Sequence, residues 1–589
     1  MEKTPIQHRP FQRSGKLVIG KFYAYLLPTI MMNVALSLGI IIDGIIVGNF
    51  LGTEAFSAVN ICAPIMFGFS AIYALFGVGG STVMAHAKGR MDNDTANTVF
   101  TLSILGLIVI SLILGGIGFI FSDNIAMLLS GGSKLYPLVK DYFTILIIGA
   151  PFLIVVPGTV YFIRTDSRPK LSANILILAN VFNLIFDLIF INVFKMGIAG
   201  AALASVLGYV LGAGISLMYF MSKDRTLKFI KPLKKDLAQY GNILTTGLPT
   251  ALYGATGFIK NLSINTIILS TVGADGVAMF AVCLNILAMS SIAIGGTAQT
   301  LVPVVGCTYG EKDYQGIRAI MKTALATVIA LCLFLLIIFE LFPIQVAGIF
   351  GISASQILTP LETAIRLFAL SLPFFGINFL MMCYYQTIKR KVISSTITIL
   401  DNLVFILPLI FIFQFLLGNE GIWLAFLVAE LLTLGTTLVI VLWVRRKSAA
   451  DLSPFLLLET LDAQILDLTI ENNMFDASSV SEAFMAFGKE HNMDEKQRNR
   501  VGVIAEELTA NIIRYGSSKQ KRSYIDIRLI IIDSEIILRI RDDGIPFNPV
   551  KYIKSHPLKD TYGLSLVSKM AKDFEYTYVL NFNNIMVRI

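Results

Sequence analysis

Asp43 is the one formal charge between Leu26 and Leu51, a run otherwise built of apolar and small residues. Such a run is long enough to cross a hydrocarbon layer as a helix. A carboxylate at that depth costs several kcal/mol unless it meets a cation or a polar cavity, so Asp43 is a candidate for function. The structural alternative is a carboxylate hydrogen-bonded to neighbouring helices. A later apolar run carries Asn180, Asn183 and Asp187 within NVFNLIFDLIF, and the next holds Ser205. Asn183 and Asp187 are four apart and share one helix face. Together these groups offer hard oxygen ligands for Na⁺, or a site that exchanges protons. The second half of the chain places Lys260, Gln299 and Arg366 in apolar runs. Lys260 could hold an anionic cargo group, swing as a gate, or pair with a nearby acid.

A second constellation lies near the C-terminus. Glu507 and Asn511 are four apart on one helical face. Asp542-Asp543-Gly544-Ile545-Pro546-Phe547 puts an acid and a glycine just past a strand, where open α/β sheets bind ligands. Tyr562-Gly563-Leu564 opens a helix, whose N-terminus attracts phosphate. Taken singly these are a solvated helix face, a turn and a helix cap; their order and spacing together argue against those three separate readings and for one ligand site.

The elements that must carry these residues follow from composition and pattern. Of 589 residues 55% are hydrophobic and 15% charged, and mean hydropathy is +0.74. Soluble domains are about 25% charged, so most of this chain belongs in a membrane. Spanning runs fall near 22–50, 56–86, 96–121, 138–163, 171–195 and 198–221, and again near 241–272, 277–308, 317–343, 360–386, 392–417 and 421–445. About twelve helices are expected. Alternate connections are rich in Lys and Arg, among them Lys88/Arg90, Arg164/Arg168/Lys170, the run from Lys223 to Lys235, and Lys389/Arg390/Lys391. That asymmetry predicts both termini on the cytoplasmic side of the cytoplasmic membrane. The polar N-terminal stretch with Lys3, Arg9, Arg13 and Lys16 does not read as a cleaved signal peptide. The net charge of +8 is explained by orientation in the bilayer, with no nucleic-acid partner expected. Five cysteines, all in apolar runs, read as small buried hydrophobes.

A repeat organises the membrane part. Gly52 and Gly273, Gly89 and Gly310, Gly200 and Gly421, and Pro28 and Pro249 are all separated by one and the same sequence offset. The expectation is two pseudo-symmetric six-helix lobes, 22–221 and 241–446, joined by a basic linker 222–240 and preceded by a cytoplasmic segment 1–21. Two lobes related along the membrane normal enclose a central cavity, as alternating-access transporters require. The repeat counterpart of Asp43 is Ile264, so the cation site is expected in the first lobe. After a linker 447–462, residues 463–589 read as an α/β sandwich with strands at ILDLTIEN, YIDIRLIII, IILRIRDDG and a closing hairpin.

Asp43-Gly-Ile-Ile-Val-Gly with Leu51-Gly52, the Asn183/Asp187 pair, Gly197-Ile-Ala-Gly-Ala-Ala202 and the doubled plan together resemble the MATE family (multidrug and toxic compound extrusion) over roughly 15–446. The resemblance implies an antiporter exporting organic compounds against Na⁺ or H⁺, with the cation site at Asp43, Asn183, Asp187 and Ser205. Lys260 stands where several members carry an acid. The tail resembles the GHKL ATP-binding fold, in its anti-sigma-factor serine-kinase branch. That implies Asn511 as Mg²⁺ ligand, Glu507 as catalytic base and Asp542 as acceptor for the adenine amino group. Gly544 and Phe547 would line the purine pocket, and Gly563 with Leu564 would meet the ATP phosphates. Thr561 stands where that family has a glycine. The expected protein is a secondary exporter with a nucleotide-binding regulatory or kinase-like domain, which could engage a cytosolic protein partner. The rival readings are a membrane-anchored serine-kinase-like signalling protein and a flippase for an anionic lipid-linked substrate.

Overall fold

The computed structural model describes residues 13–222, 225–349, 355–460, 462–471, 473–516, 524–532, 535–556 and 561–589. Lys3, Arg9 and Lys223 of the expected basic segments lie outside them.

Each lobe opens on a long helix broken from the next by a glycine turn. The first helix (Lys16–Leu51) carries Pro28 and ends at Gly52; the seventh (Gln239–Thr271) carries Pro249 and is followed by Val272 and Gly273. Both glycines have positive φ, 85° and 91°, a backbone only glycine adopts without strain, which is why the repeat keeps glycine there. The next turn repeats as well. Met91 and Lys312 sit at φ 68° and 55°, and Asp92 and Asp313 cap the following helices by accepting from Thr95 N at 2.9 Å and Gly316 N at 2.8 Å.

Among the described residues ten helices are long and apolar enough to cross a membrane, and the pair Tyr136–Ile148 and Ala150–Thr165, bent by 52°, makes an eleventh pass. The remaining expected pass, the seventh, is Gln239–Thr271, long enough but diluted by Asn, Thr, Ser and Lys260. Three helices are locally widened into π turns, at Ala74–Val78, Leu188–Val193 and Leu400–Val404. The last two adjoin or contain buried acids, the usual setting of such turns.

The tail forms a five-stranded antiparallel sheet in the order β1-β2-β3-β5-β4, with β1 Gln464–Glu471, β2 Tyr524–Ile532, β3 Glu535–Asp542, β4 Asp573–Val579 and β5 Phe582–Arg588. One face, including Leu468, Ile527, Leu538 and Val587, packs on the helices Met474–Glu490, Glu495–Tyr515 and Tyr562–Met570. The period-2 alternation places Asp467, Asp526, Arg528, Arg539 and Arg541 on the other face. That face is covered by the ends of the membrane helices, which form the tail side of the bundle. Val579, Leu580 and Phe582 join Phe22, Tyr25 and Val305 in one hydrophobic cluster, so tail and helices share a core.

Candidate functional site

The first helix and the fifth (Pro169–Asp187) approach closely because Gly39 has no side chain: a Cβ there would overlap Asn180 Oδ1. Asn180 Nδ2 donates to Ala35 O at 3.0 Å and locks the pair. One turn on, Ser205 Oγ donates to Asp43 Oδ2 at 3.0 Å, and Asn183 Nδ2 donates to Ser205 Oγ at 3.1 Å and more weakly to Asp43 Oδ1 at 3.4 Å. All three side chains are buried. Asp187 faces Asp43 and is fully buried, and apart from that facing carboxyl neither of its oxygens has a hydrogen-bond partner among the described residues. Two facing carboxylates, those of Asp187 with both oxygens unpartnered, fit a proton or a small cation between them. Tyr142 faces the same carboxylate from the fourth pass, a residue that sequence reasoning missed.

The second lobe holds acids that the repeat offset from Asp43 did not reveal. Asp401 and Asn402 lie in the π turn of the eleventh pass, and Glu430 lies on the twelfth. Asn378 Nδ2 donates to Glu430 Oε2 at 2.7 Å, and Asp401 adjoins Glu430. At the repeat offset, Asp401 and Glu430 are the counterparts of Asn180 and Tyr209, and Lys260 is the counterpart of Gly39. The second lobe thus has its own buried carboxylates, at different positions of the repeat, which the counterpart of Asp43 alone does not reveal. Lys260 is buried near Glu430 with no ion pair among the described residues. Gln299 Oε1 is buried without a partner among the described residues. Arg366 pairs instead with Glu362 on its own helix, at 2.8 Å and about half exposed (47%).

In the tail a cavity of about 530 Å³ is lined by Glu507, Asn511, Asp542, Phe547, Gly563 and Leu564, with Asn583 at its floor. That volume suits a small-molecule ligand. Asp542 Oδ1 accepts from Gly544 N at 2.8 Å and Asn583 Nδ2 at 2.9 Å. Burial pushes the Asp542 carboxyl up, to about 6, against those two hydrogen bonds. Asn511 Nδ2 donates to Glu507 Oε1 at 2.7 Å, and a Cβ on Gly563 would overlap that same oxygen. Thr561 is buried with its hydroxyl 3.0 Å from Ser565 Oγ. Of the sequence-derived site residues of the tail, all but Gly544 line this one pocket; Gly544 meets it only through its N–H bond to Asp542. Mg²⁺ would rest on Asn511 and the phosphates, in keeping with its preference for few protein ligands.

Where tail meets helices, four arginines face four acids. Arg541 donates to Glu311 Oε2 at 2.7 Å, Asp313 Oδ2 at 3.0 Å and Asp526 Oδ2 at 2.9 Å. Arg528 binds Asp467 at 2.6 Å, Arg13 pairs with Asp313, and Arg539 donates to Gly89 O at 3.2 Å. Burial raises the Asp313 carboxyl, but Arg13, Arg528 and Arg541 outweigh it and hold the group well below the usual carboxylate range.

Comparison with known proteins agrees with both halves. The MatE family model matches residues 28–189 and 261–412, and the histidine kinase-like ATPase domain model matches 471–588. The multidrug export protein MepA of Staphylococcus saprophyticus is 25% identical over 68% of this chain and 89% of its own length; that of Staphylococcus aureus is 26% identical over 70% and 92%. A MOP superfamily transporter from Pyrococcus furiosus shares the fold, with TM-score 0.67 and 23% identity over 74% of this chain and 98% of its own. A doubled helical unit with a buried carboxylate pair and an ATPase-like tail thus has its place: the chain belongs to the MatE family.

Proposed function

We propose that the protein is a secondary-active antiporter that exports drug-like organic compounds in exchange for Na⁺ or H⁺. The observation that carries this is the buried Asp43/Asp187 pair, Asp187 without a hydrogen-bond donor among the described residues, beside Asn183 and Ser205. Two facing carboxylates cannot both stay charged at that depth, so a proton or Na⁺ binds between them. Alternating exposure of that pair to the two sides exchanges the ion for cargo. The export activity of the MepA relatives supports the cargo class. The tail side is cytoplasmic on the lysine and arginine asymmetry of the loops. The decisive experiment loads proteoliposomes containing the full chain with a fluorescent organic cation and imposes a Na⁺ or a pH gradient. Efflux driven by one of them is expected; no gradient-dependent movement of any organic cation or anion would reject the antiporter.

The tail, on this reading, binds ATP. Asp542 accepts the purine amino group, Phe547 covers the ring, Asn511 holds Mg²⁺ and the Gly563 helix start meets the phosphates. Its sheet is spent on the membrane helices, which favours regulation of this chain over signalling to a separate protein. Two outcomes check the pocket. A neutral Asp542 is the poorer acceptor, so ATP affinity falls as pH drops from 7 to 5, through the Asp542 value of about 6, by up to about tenfold per pH unit below it. Titration of the full chain with a fluorescent ATP analogue reads this directly. Gly563→Ala drives a methyl into Glu507 and weakens binding of the same analogue at least about tenfold, a loss of one buried polar contact.

A further inference from the structure

We infer that the C-terminal domain is a nucleotide-responsive clamp: its charged sheet face holds the two lobes together on the tail side, and occupancy of its pocket loosens that hold. The second clause rests on the ATP reading above; the first does not.

Among the described residues, every hydrogen bond and ring contact between the lobes lies from mid-helix to the tail side. Phe67 and Phe258 meet at 5.7 Å near the middle. Further toward the tail, Tyr240 OH donates to Leu102 O at 3.0 Å and His86 Nε2 lies 2.6 Å from Thr387 O. A Cβ on Gly89 would overlap Cys307 O, and one on Gly310 would overlap His86 O, so the two lobes touch backbone to backbone. This side is shut. Shutting it carries a cost. Arg164 is 0% exposed, and none of its three guanidinium nitrogens has a hydrogen-bond partner among the described residues; the ring of Tyr161 lies at 5.2 Å. An unpaired buried cation favours the state that rehydrates it.

The tail supplies the opposing force. A single sheet grips the first lobe at Gly89 O through Arg539 and at Ser167 Oγ through Asn581 N, 3.2 Å each, while Lys21 Nζ holds Asn581 O at 3.0 Å. The same sheet grips the second lobe at Glu311, Lys312 and Asp313 through Arg528 and Arg541. The lobes cannot part here without breaking one set. Removing one partner from a buried charge network leaves its counter-charges uncompensated, so the grip is strong.

The pocket and the grip share two strands. On β3, Arg541 points to the helices and Asp542 to the pocket. On β5, Asn583 donates to Asp542 at 2.9 Å and to Ile545 O at 3.1 Å, two residues from the Asn581 turn that touches Ser167. A purine amino group brought to Asp542 competes with Asn583 for that carboxylate and frees the hairpin. ATP acts here as a signal: its binding, without hydrolysis, permits the tail side to open and the export cycle to run.

The test uses the full chain with nitroxide labels at Arg90→Cys and Lys389→Cys, exposed positions on opposite lobes; the five native cysteines are buried. Distances between the labels are measured with and without Mg²⁺ and a non-hydrolysable ATP analogue. Arg541→Gln is expected to raise the long-distance population about fivefold or more, and the nucleotide to do the same in the parent. Asp542→Asn removes the nucleotide effect and leaves that of Arg541→Gln. Lys21→Met gives a milder form of the same opening should Arg541→Gln not fold. If neither variant widens the distribution, the clamp is overturned. A nucleotide that binds yet leaves the distances unchanged, or shortens them, overturns the coupling. A chain that binds no nucleotide overturns the ATP reading alone, and the clamp then stands or falls on the two variants.

Discussion

Asp43→Asn is expected to abolish ion-driven efflux while leaving the protein folded. The carboxamide has the shape of the carboxylate, and its oxygen still accepts from Ser205, which now donates to Asp43 at 3.0 Å. Its amide also gives Asp187 a donor, which that buried residue lacks. Packing therefore survives. On the antiporter proposed above, what disappears is one of the two carboxyl groups between which a proton or Na⁺ would bind. Losing one partner of a buried charge pair costs roughly 3 kcal/mol, so gradient-driven transport falls at least about 100-fold. Efflux from proteoliposomes, set beside an unchanged thermal unfolding midpoint, makes the measurement. Transport at the parental rate would show that the coupling ion binds elsewhere, and Asp401 with Glu430 would be the next place to look.

The second large effect is at the junction. Arg541→Met leaves Glu311, Asp313 and Asp526 facing one another with a guanidinium withdrawn, all three side chains buried. Breaking a buried network in this way costs about 3–5 kcal/mol. The loss is expected in the docking of the tail: amide hydrogen exchange on β2 and β3 rises, and the linker 447–462 becomes open to protease. Acid alone does not reproduce it near neutrality. The Asp313 carboxyl is held below its ordinary value, so its contribution is fully present above that value and is lost only as pH falls through the lowered one. Docking at pH 5 is therefore expected to match docking at pH 7. Undocking at pH 5 would mean that the arginines do not hold that charge.

Much of this molecule is legible in its sequence because the signals are local or repeated at a fixed offset. The glycine turns after Leu51 and Val272 need a positive φ, so both copies keep the residue. The tail strands announce themselves by alternation, and the tail pocket by residues at strand and helix ends, all but Gly544 of which the fold brings to its lining. Other features are hidden for physical reasons. Searching the second lobe at the counterpart of Asp43 lands on Ile264, whereas its acids occupy the places of Asn180 and Tyr209. A repeat preserves backbone, and side-chain chemistry can move from one helix to another within it. The docking face was invisible for a different reason. Asp526, Arg528, Arg539 and Arg541 read as the solvated side of a sheet, and their partners Glu311 and Asp313 belong to the membrane part, far earlier in the chain.

Duplication gives this protein two nearly equivalent capped turns on the tail side, one at Asp92 and one at Asp313. Only Asp313 is seated among arginines; Asp92 pairs with none among the described residues. A lone appended domain has thereby made the halves unlike where they meet it, although their helices remain alike. Whatever rocks one half against the other must do so with one side tethered through its own carboxylates and its twin through the Gly89 carbonyl, the Ser167 hydroxyl and the Lys21 ammonium, so the two directions of travel are no longer energetically interchangeable.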